Sequence, residues 1–306
     1  MSILRIEHRT IYRYSRPLSF GRHRLVIRPR EGHELRILRE SLAIRPAHDF
    51  TWARDVFGNS VALVRFHEES DILDFHSEVV IERLAPFPSR APGEPWQVSY
   101  PVTYEPLETR FTGAYLQPSY PEDVEAVGEW LKREAPSPDG RDAEGVILAL
   151  GTILHERIKY LRRAEKGVQS PARTLELKSG SCRDMATLMM DAARQLGIAS
   201  RFASGYLDCP ASLAGRASMH AWMEYYLPLL GWRGFDPTLG EPISLKHVLT
   251  GVSDHPRGVM PVSGIFSGTA ADCRSLEVTV LTEPLREGAD GLVSSSGKPG
   301  ASAAAS

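Results

Sequence analysis

The stretch that most constrains this 306-residue chain is Gly180-Ser181-Cys182-Arg183-Asp184-Met185-Ala186 with the run that follows it. Beyond Cys182 the apolar residues fall at Met185, Leu188, Met189, Ala192 and Leu196. That spacing predicts one face of an amphipathic helix, which Gly197 ends. Gly180 and Ser181 stand at the turn and cap positions just before it. Cys182 therefore belongs to the first turn of a helix with a buried face. Free backbone N–H groups and the positive end of the helix dipole favour a thiolate there, and one of those groups can stabilise an oxyanion. Taken alone, such a cysteine is more often a small buried hydrophobe. A nucleophile also needs a base.

The base is expected from a distant part of the chain. Ser218-Met219-His220-Ala221-Trp222-Met223-Glu224-Tyr225-Tyr226-Leu227 is rich in aromatic and apolar residues and reads as a strand. Pro228-Leu229-Leu230-Gly231 makes a turn, and Trp232-Arg233-Gly234-Phe235-Asp236-Pro237 reads as the returning strand. His220 and Asp236 lie on opposite arms of that hairpin, within side-chain reach if the arms pair. The imidazole takes the thiol proton, and the carboxylate on its other nitrogen fixes tautomer and orientation. Each alone has a structural reading, His220 as a hydrogen-bonded core histidine and Asp236 as a turn residue before proline. The two stand or fall with Cys182.

Gly-Ser-Cys-Arg-Asp opening a helix, Ser-Gly-Tyr-Leu at 204–207, His-Ala-Trp at 220–222 and Gly-Trp-Arg-Gly-Phe-Asp-Pro-Thr at 231–238 together resemble the bacterial transglutaminase-like superfamily. The resemblance is close over about residues 150–240. It extends more weakly to Pro261-Val262-Ser263-Gly264 and to a leading β domain. It implies a papain-like fold in which the cysteine helix packs on an antiparallel sheet bearing the histidine and aspartate. It also implies a triad of Cys182, His220 and Asp236. Members include glutamine-to-amine cross-linking enzymes, amide-hydrolysing peptidases and proteins without catalysis. The expected function is thus acyl transfer on a peptide or protein amide, with water or a primary amine as acceptor. The alternative is a peptide- or protein-binding module on the same fold. By family analogy an ATP-grasp-like enzyme is a candidate partner.

Residue supply narrows the third member of the triad. The chain's single asparagine, Asn59, falls in a turn of the first domain, so a carboxylate must serve. Glu224 shares the histidine's strand and ranks below Asp236. Asp184 favours the helix in its first turn, but its charge opposes a thiolate, which makes it structural or substrate-orienting. Tyr160 and Gln169 are candidate oxyanion or positioning groups, and Trp222 is a candidate wall of the site. Cys209 and Cys273 have no base motif near them. A Gly-x-Ser-x-Gly elbow is absent, which argues against a serine hydrolase.

Residues 1–84 predict a β-sandwich. Leu4, Ile6, His8, Thr10, Tyr12 and Tyr14 alternate with charged residues, and short apolar runs follow at 25–27, 42–44, 61–64 and 77–81. The arginines of this region read as a solvated outer face, with a basic groove for an acidic substrate as the second reading. A proline-bearing linker is expected over 85–104 and a catalytic domain over 105–283. Helices are expected from 121 to 131 and from 142 to about 158, packed beside the cysteine helix. A closing strand is expected at 275–280, and the Gly/Ser/Ala-rich tail at 284–306 is expected to be disordered. The overall class is α+β.

The 36 basic and 38 acidic residues nearly cancel, so neither nucleic acid nor a membrane surface is expected as a partner. Three scattered cysteines do not make a disulfide framework. No CxxC occurs, and the His-Glu pairs at 33–34, 67–68 and 155–156 lack a histidine at metal-binding spacing. No acidic loop resembles an EF-hand, so no cofactor or calcium is expected. The first residues lack a secretory h-region, and no segment is long and apolar enough to span a bilayer, which makes a cytoplasmic location the expectation.

Overall fold

A computed structural model describes residues 2–84, 97–135, 141–163, 167–208, 219–288 and 291–294. The first half is β structure: β1 (Ser2–Leu18), β2 (Phe20–Leu25), β3 (Leu35–Arg45), β4 (His48–Arg54), β5 (Ser60–Phe66) and β6 (Ser70–Arg83). The second half begins with α1 (Pro106–Thr112), α2 (Val124–Glu134) and α3 (Ala143–Arg157), then β7 (Lys159–Tyr160), α4 (Pro171–Leu177) and β8 (Ser179–Gly180). Next come α5 (Cys182–Gln195), β9 (Ser200–Leu207), β10 (Met219–Leu227), β11 (Gly231–Asp236), β12 (Glu241–Pro242) and β13 (His247–Ser253). The chain ends in β14 (Val262–Phe266), β15 (Cys273–Gly288) and β16 (Gly291–Ser294).

Two sheets face each other in the sandwich. One has the order β16-β15-β1-β6-β3 and the other β14-β2-β5-β4, all antiparallel. On β1, Leu4, Ile6, His8 and Thr10 are buried while their neighbours are less so, the alternation a half-buried strand requires. Several outward arginines are matched to carboxylates. Arg5 meets Glu78 at 2.8 Å, Arg9 meets Asp74 at 2.7 Å, and Arg28 and Arg36 meet Glu40 and Glu82 at 2.6 Å.

The segment after residue 260 departs from expectation. Val262–Phe266 form β14, which pairs with β2 in the sandwich. The closing strand expected at 275–280 is part of β15 and joins β1 rather than the sheet bearing His220. Residues 284–288, expected to be disordered with the tail, continue β15, and residues 291–294 return as β16. The reason is that an edge hairpin is held by backbone hydrogen bonds, which a polar sequence supplies as well as an apolar one. The rest of the expected tail, the linker at 85–96 and Cys209 lie outside the described residues.

The second half is built around α5. Met185, Leu188 and Met189 are fully buried and share one apolar core with Val146, Ile147 and Leu150 of α3, Val127 and Trp130 of α2, and Met223 and Tyr225 of β10. Each such buried Leu or Met contributes about 1.5–3 kcal/mol. The opposite face of α5 is buried too, which its amphipathic pattern did not predict. Asp191 accepts from the Ser119 and Tyr120 N–H groups, and Arg194 donates to the carbonyls of Gln117, Ser200 and Asp254. Polar residues can be buried there because wrapping loops complete their hydrogen bonds. Behind α5 lies the sheet β12-β11-β10-β9-β13.

The halves are joined by a shared cluster. Leu4, Ile6, Val79, Ile81 and Val280 of the sandwich pack with Tyr206 of β9 and Val248 of β13. The Tyr206 hydroxyl donates to the Ile27 carbonyl at 2.8 Å and lies 3.1 Å from Nδ1 of His8. Burial lowers His8 to about 4, so its imidazole is neutral in the folded protein. Among the described residues no helix is long and apolar enough to cross a membrane.

Candidate active site

Cys182 occupies the first position of α5, with Ser181 as its cap. Asp184 closes a capping box with Ser181 and is fully buried. Its carboxylate accepts five hydrogen bonds: from Ser181 N–H at 2.7 Å and O–H at 2.8 Å, from Arg163 Nε at 2.7 Å and Nη2 at 3.0 Å, and from Gln169 N–H at 2.7 Å. Burial pushes Asp184 up, but Arg163 and these donors outweigh it and hold the carboxyl below its usual range. Gly180 is required on steric grounds, since a Cβ there would lie 2.7 Å from the Asp184 Cβ. The Gly-Ser-Cys-Arg-Asp motif thus anchors the start of the helix and ties it to Arg163 and Gln169. Asp184 takes the structural of its two expected roles.

The sheet presents the other two residues. Met223 on β10 faces Phe235 on β11, which sets His220 and Asp236 one diagonal step apart across the hairpin. His220 Nε2 lies 2.6 Å from Asp236 Oδ2. The other ring nitrogen is left for the Cys182 side chain, which lines the same cleft as His220. Burial lowers His220, but the charges of Asp236 and Cys182 outweigh it and the imidazole is pushed up to about 10. Asp236 is likewise raised by burial, yet His220 and His247 hold it far below the carboxylate range. Its Oδ1 accepts from the Thr238 and Leu239 N–H groups at 2.8 and 3.3 Å. The aspartate is therefore also the turn residue that its place before Pro237 suggested.

His247 escaped the sequence reading. It lies at the start of β13 with Nε2 3.1 Å from Asp236 Oδ2, and its Nδ1 accepts from the Ser244 N–H at 3.1 Å. Accepting at Nδ1 leaves the proton on Nε2, so neutral His247 donates to Asp236. The strand signal was present in His247-Val-Leu-Thr-Gly-Val-Ser, apolar and β-branched. Its pairing with β9 was not. His220, Asp236 and His247 place potential metal-ligand atoms within 4.8 Å of one another. The nitrogens that face the carboxylate are, however, its hydrogen donors, so the trio reads as a proton-sharing cluster.

The remaining candidates separate. Tyr160 pairs with Gly180 in the short β7–β8 ladder and lines one cleft with Cys182 and His220. The Gln169 amide donates to the Ser179 carbonyl at 3.1 Å and the Thr174 hydroxyl at 3.4 Å, and it does not line that cleft. Trp222 is fully buried behind the pair, its ring centroid 6.4 Å from His220 and 5.2 Å from His247. Gly205 makes room for it, since a Cβ there would approach the Trp222 ring at 2.7 Å and the Val248 carbonyl at 2.1 Å. Glu224 is taken by Arg201 at 2.7 Å, whose guanidinium lies 3.8 Å from the Trp232 ring centroid. The cleft measures about 570 Å³ and is also walled by Phe202, Met219, Val259 and Val278 of β15.

Residues 4–82 match the family described as the bacterial transglutaminase-like N-terminal region, and residues 129–237 match the transglutaminase-like superfamily. An uncharacterized protein of Mycobacterium tuberculosis is 28% identical over 278 residues, which cover 86% of this chain and 87% of that protein. One of Mycobacterium leprae is 26% identical over 284 residues, 88% of this chain and 94% of the relative. The crystal structure of a candidate cysteine protease from Cytophaga hutchinsonii shares the fold, with a TM-score of 0.70 at 17% identity over 92% of this chain and 90% of that one.

Proposed function

This is a bacterial transglutaminase-like superfamily protein, and we propose that its core performs cysteine-dependent acyl transfer on amide bonds. The observation that carries the proposal is the buried His220–Asp236 pair at 2.6 Å, of which His220 opens with Cys182 onto one cleft. In this reading the Cys182 sulfur attacks the amide carbonyl carbon and a C–S bond forms. His220 gives its proton to the leaving nitrogen as the C–N bond breaks. Water or a primary amine then attacks the thioester, His220 takes its proton, and the thiolate is released. The Cys182 N–H has no carbonyl to bond at the first helical position and serves as one oxyanion donor. Tyr160 supplies the second, because its side chain lines the cleft while the Gln169 amide is engaged elsewhere.

Mass spectrometry of the protein with a pool of glutamine- and amide-bearing peptides, with and without an added primary amine, tests the reading. Amine adducts that vanish in Cys182→Ala identify transfer. Cleaved or deamidated peptides without adducts identify hydrolysis. A folded protein that turns over nothing and leaves Cys182 unreactive toward iodoacetamide is a binding module instead.

A further inference from the structure

The cleft has an unusual charge for a protein of net charge −2. Four arginines line it, Arg162, Arg163, Arg183 and Arg257, and among its described lining residues there is no Asp or Glu. Their surroundings differ. Arg163 is held by Asp184 at 2.7 Å and belongs to the helix anchor. Arg183, half-buried at the second position of α5, and Arg257, exposed on the turn Pro256–Val259, form no ion pair with a described residue. On the sandwich Arg5, Arg9, Arg28 and Arg36 are each matched to a carboxylate at 2.6–2.8 Å. The contrast lies in what faces each guanidinium. Two arginines from separate elements converge beside the nucleophile without a counter-ion among the described residues, and their charge reaches the Tyr160 and Tyr120 side chains on the same cleft. Guanidinium groups recognise carboxylates with paired, charge-assisted hydrogen bonds.

We propose that the cleft selects amide substrates bearing a carboxylate near the reacting amide, which Arg183 and Arg257 bind. The inference rests on the acyl-transfer reading for the identity of the amide, and on geometry alone for the carboxylate. The apolar walls Phe202, Met219, Val259 and Val278 are suited to the uncharged part of a short peptide. The carboxylate comes from an Asp or Glu side chain or from a free C-terminus.

The test is binding to the full-length Cys182→Ala protein, where turnover plays no part. Four glutamine peptides of equal length serve as fluorescent probes: acidic with an amidated end, neutral with a free end, neutral and amidated, and basic and amidated. At least one carboxylate-bearing probe should bind about tenfold or more tighter than the neutral amidated one, with a preference that fades at high salt. Whichever of the two binds tighter identifies the carboxylate's source. Arg257→Gln should reduce the preference, and Arg257→Glu should shift it toward the basic probe. Equal binding of all four, or tightest binding of the basic probe to the parent, overturns the proposal. If the acidic preference is present but the native protein turns over none of the probes, the carboxylate inference stands and the catalytic reading fails. If the native protein turns over all four with equal kcat/KM, the catalytic reading stands and the carboxylate inference fails.

Discussion

The two sides of the site hold their reacting groups by opposite means. On the helix side everything that fixes Cys182 is close in sequence: Gly180 gives space, Ser181 caps, and Asp184 ties the cap to the loop before it. On the sheet side, three strands each contribute one residue to a single carboxylate cluster, His220 from β10, Asp236 from β11 and His247 from β13. The first is a local device whose acid is structural. The second is a non-local device whose acid, in the proposed reaction, orients His220. Two fully buried aspartates, Asp184 and Asp236, thus look alike by burial and ionisation and differ in what their partners are free to do.

Substitutions can break or sharpen that comparison. The largest effect belongs to Cys182→Ala, which should lower turnover by about 10³-fold or more because the covalent route is lost. Its melting temperature should stay near that of the parent, and a large drop would mean the residue is structural. Asp236→Asn should cost about 10²–10⁴-fold in kcat through the wrong tautomer of His220, measured beside circular dichroism to establish that the fold is retained. Asp184→Ala should reverse the pattern. It removes the acceptor of five hydrogen bonds, so unfolding in urea should show a loss of about 3–5 kcal/mol. If Asp184→Ala is inactive but as stable as the parent, the distinction between the aspartates fails.

A smaller effect follows from pH. The folded value of His220, about 10, lies above the ordinary 6.5. Its contribution to stability is therefore fully present below pH 6.5 and is lost as pH rises through about 10. The melting temperature should fall over that interval, and the fall should be smaller in Asp236→Asn, where the main charge raising His220 is gone. Equal slopes in the two proteins would contradict the coupling. Smallest of all, His247→Gln should reduce kcat about tenfold or less, the worth of one hydrogen bond. It should also move the pH profile of activity, which a purely structural loss would leave in place.

The same contrast explains how much of the site was legible in the sequence. The helix side is contiguous, so spacing and cap chemistry sufficed to find it. The His220–Asp236 pair lies across one hairpin, and the turn at 228–231 supplied the register. His247 pairs through β9, a strand about 40 residues earlier in the chain, and nothing local in His247-Val-Leu marks that neighbour. The buried polar face of α5 was hidden for a related reason. Asp191 and Arg194 look like solvent-facing residues until loops from 117–120 and 254 are folded over them. Gln169 and Tyr160 were equally plausible from position alone, and only the β7–β8 ladder separates a side chain on the cleft from one spent on the backbone.

Strand β15 matters for how the protein comes into being. It is one of the two neighbours of β1, with Ile3 opposite Leu285, so β1 leaves the ribosome well over 200 residues before the strand that pairs with it. At about 5–20 residues per second the delay is on the order of ten to fifty seconds. Throughout it, one edge of β1 carries unpaired backbone groups that another nascent chain could extend. Yield in a heterologous host should therefore depend on temperature and chaperone supply.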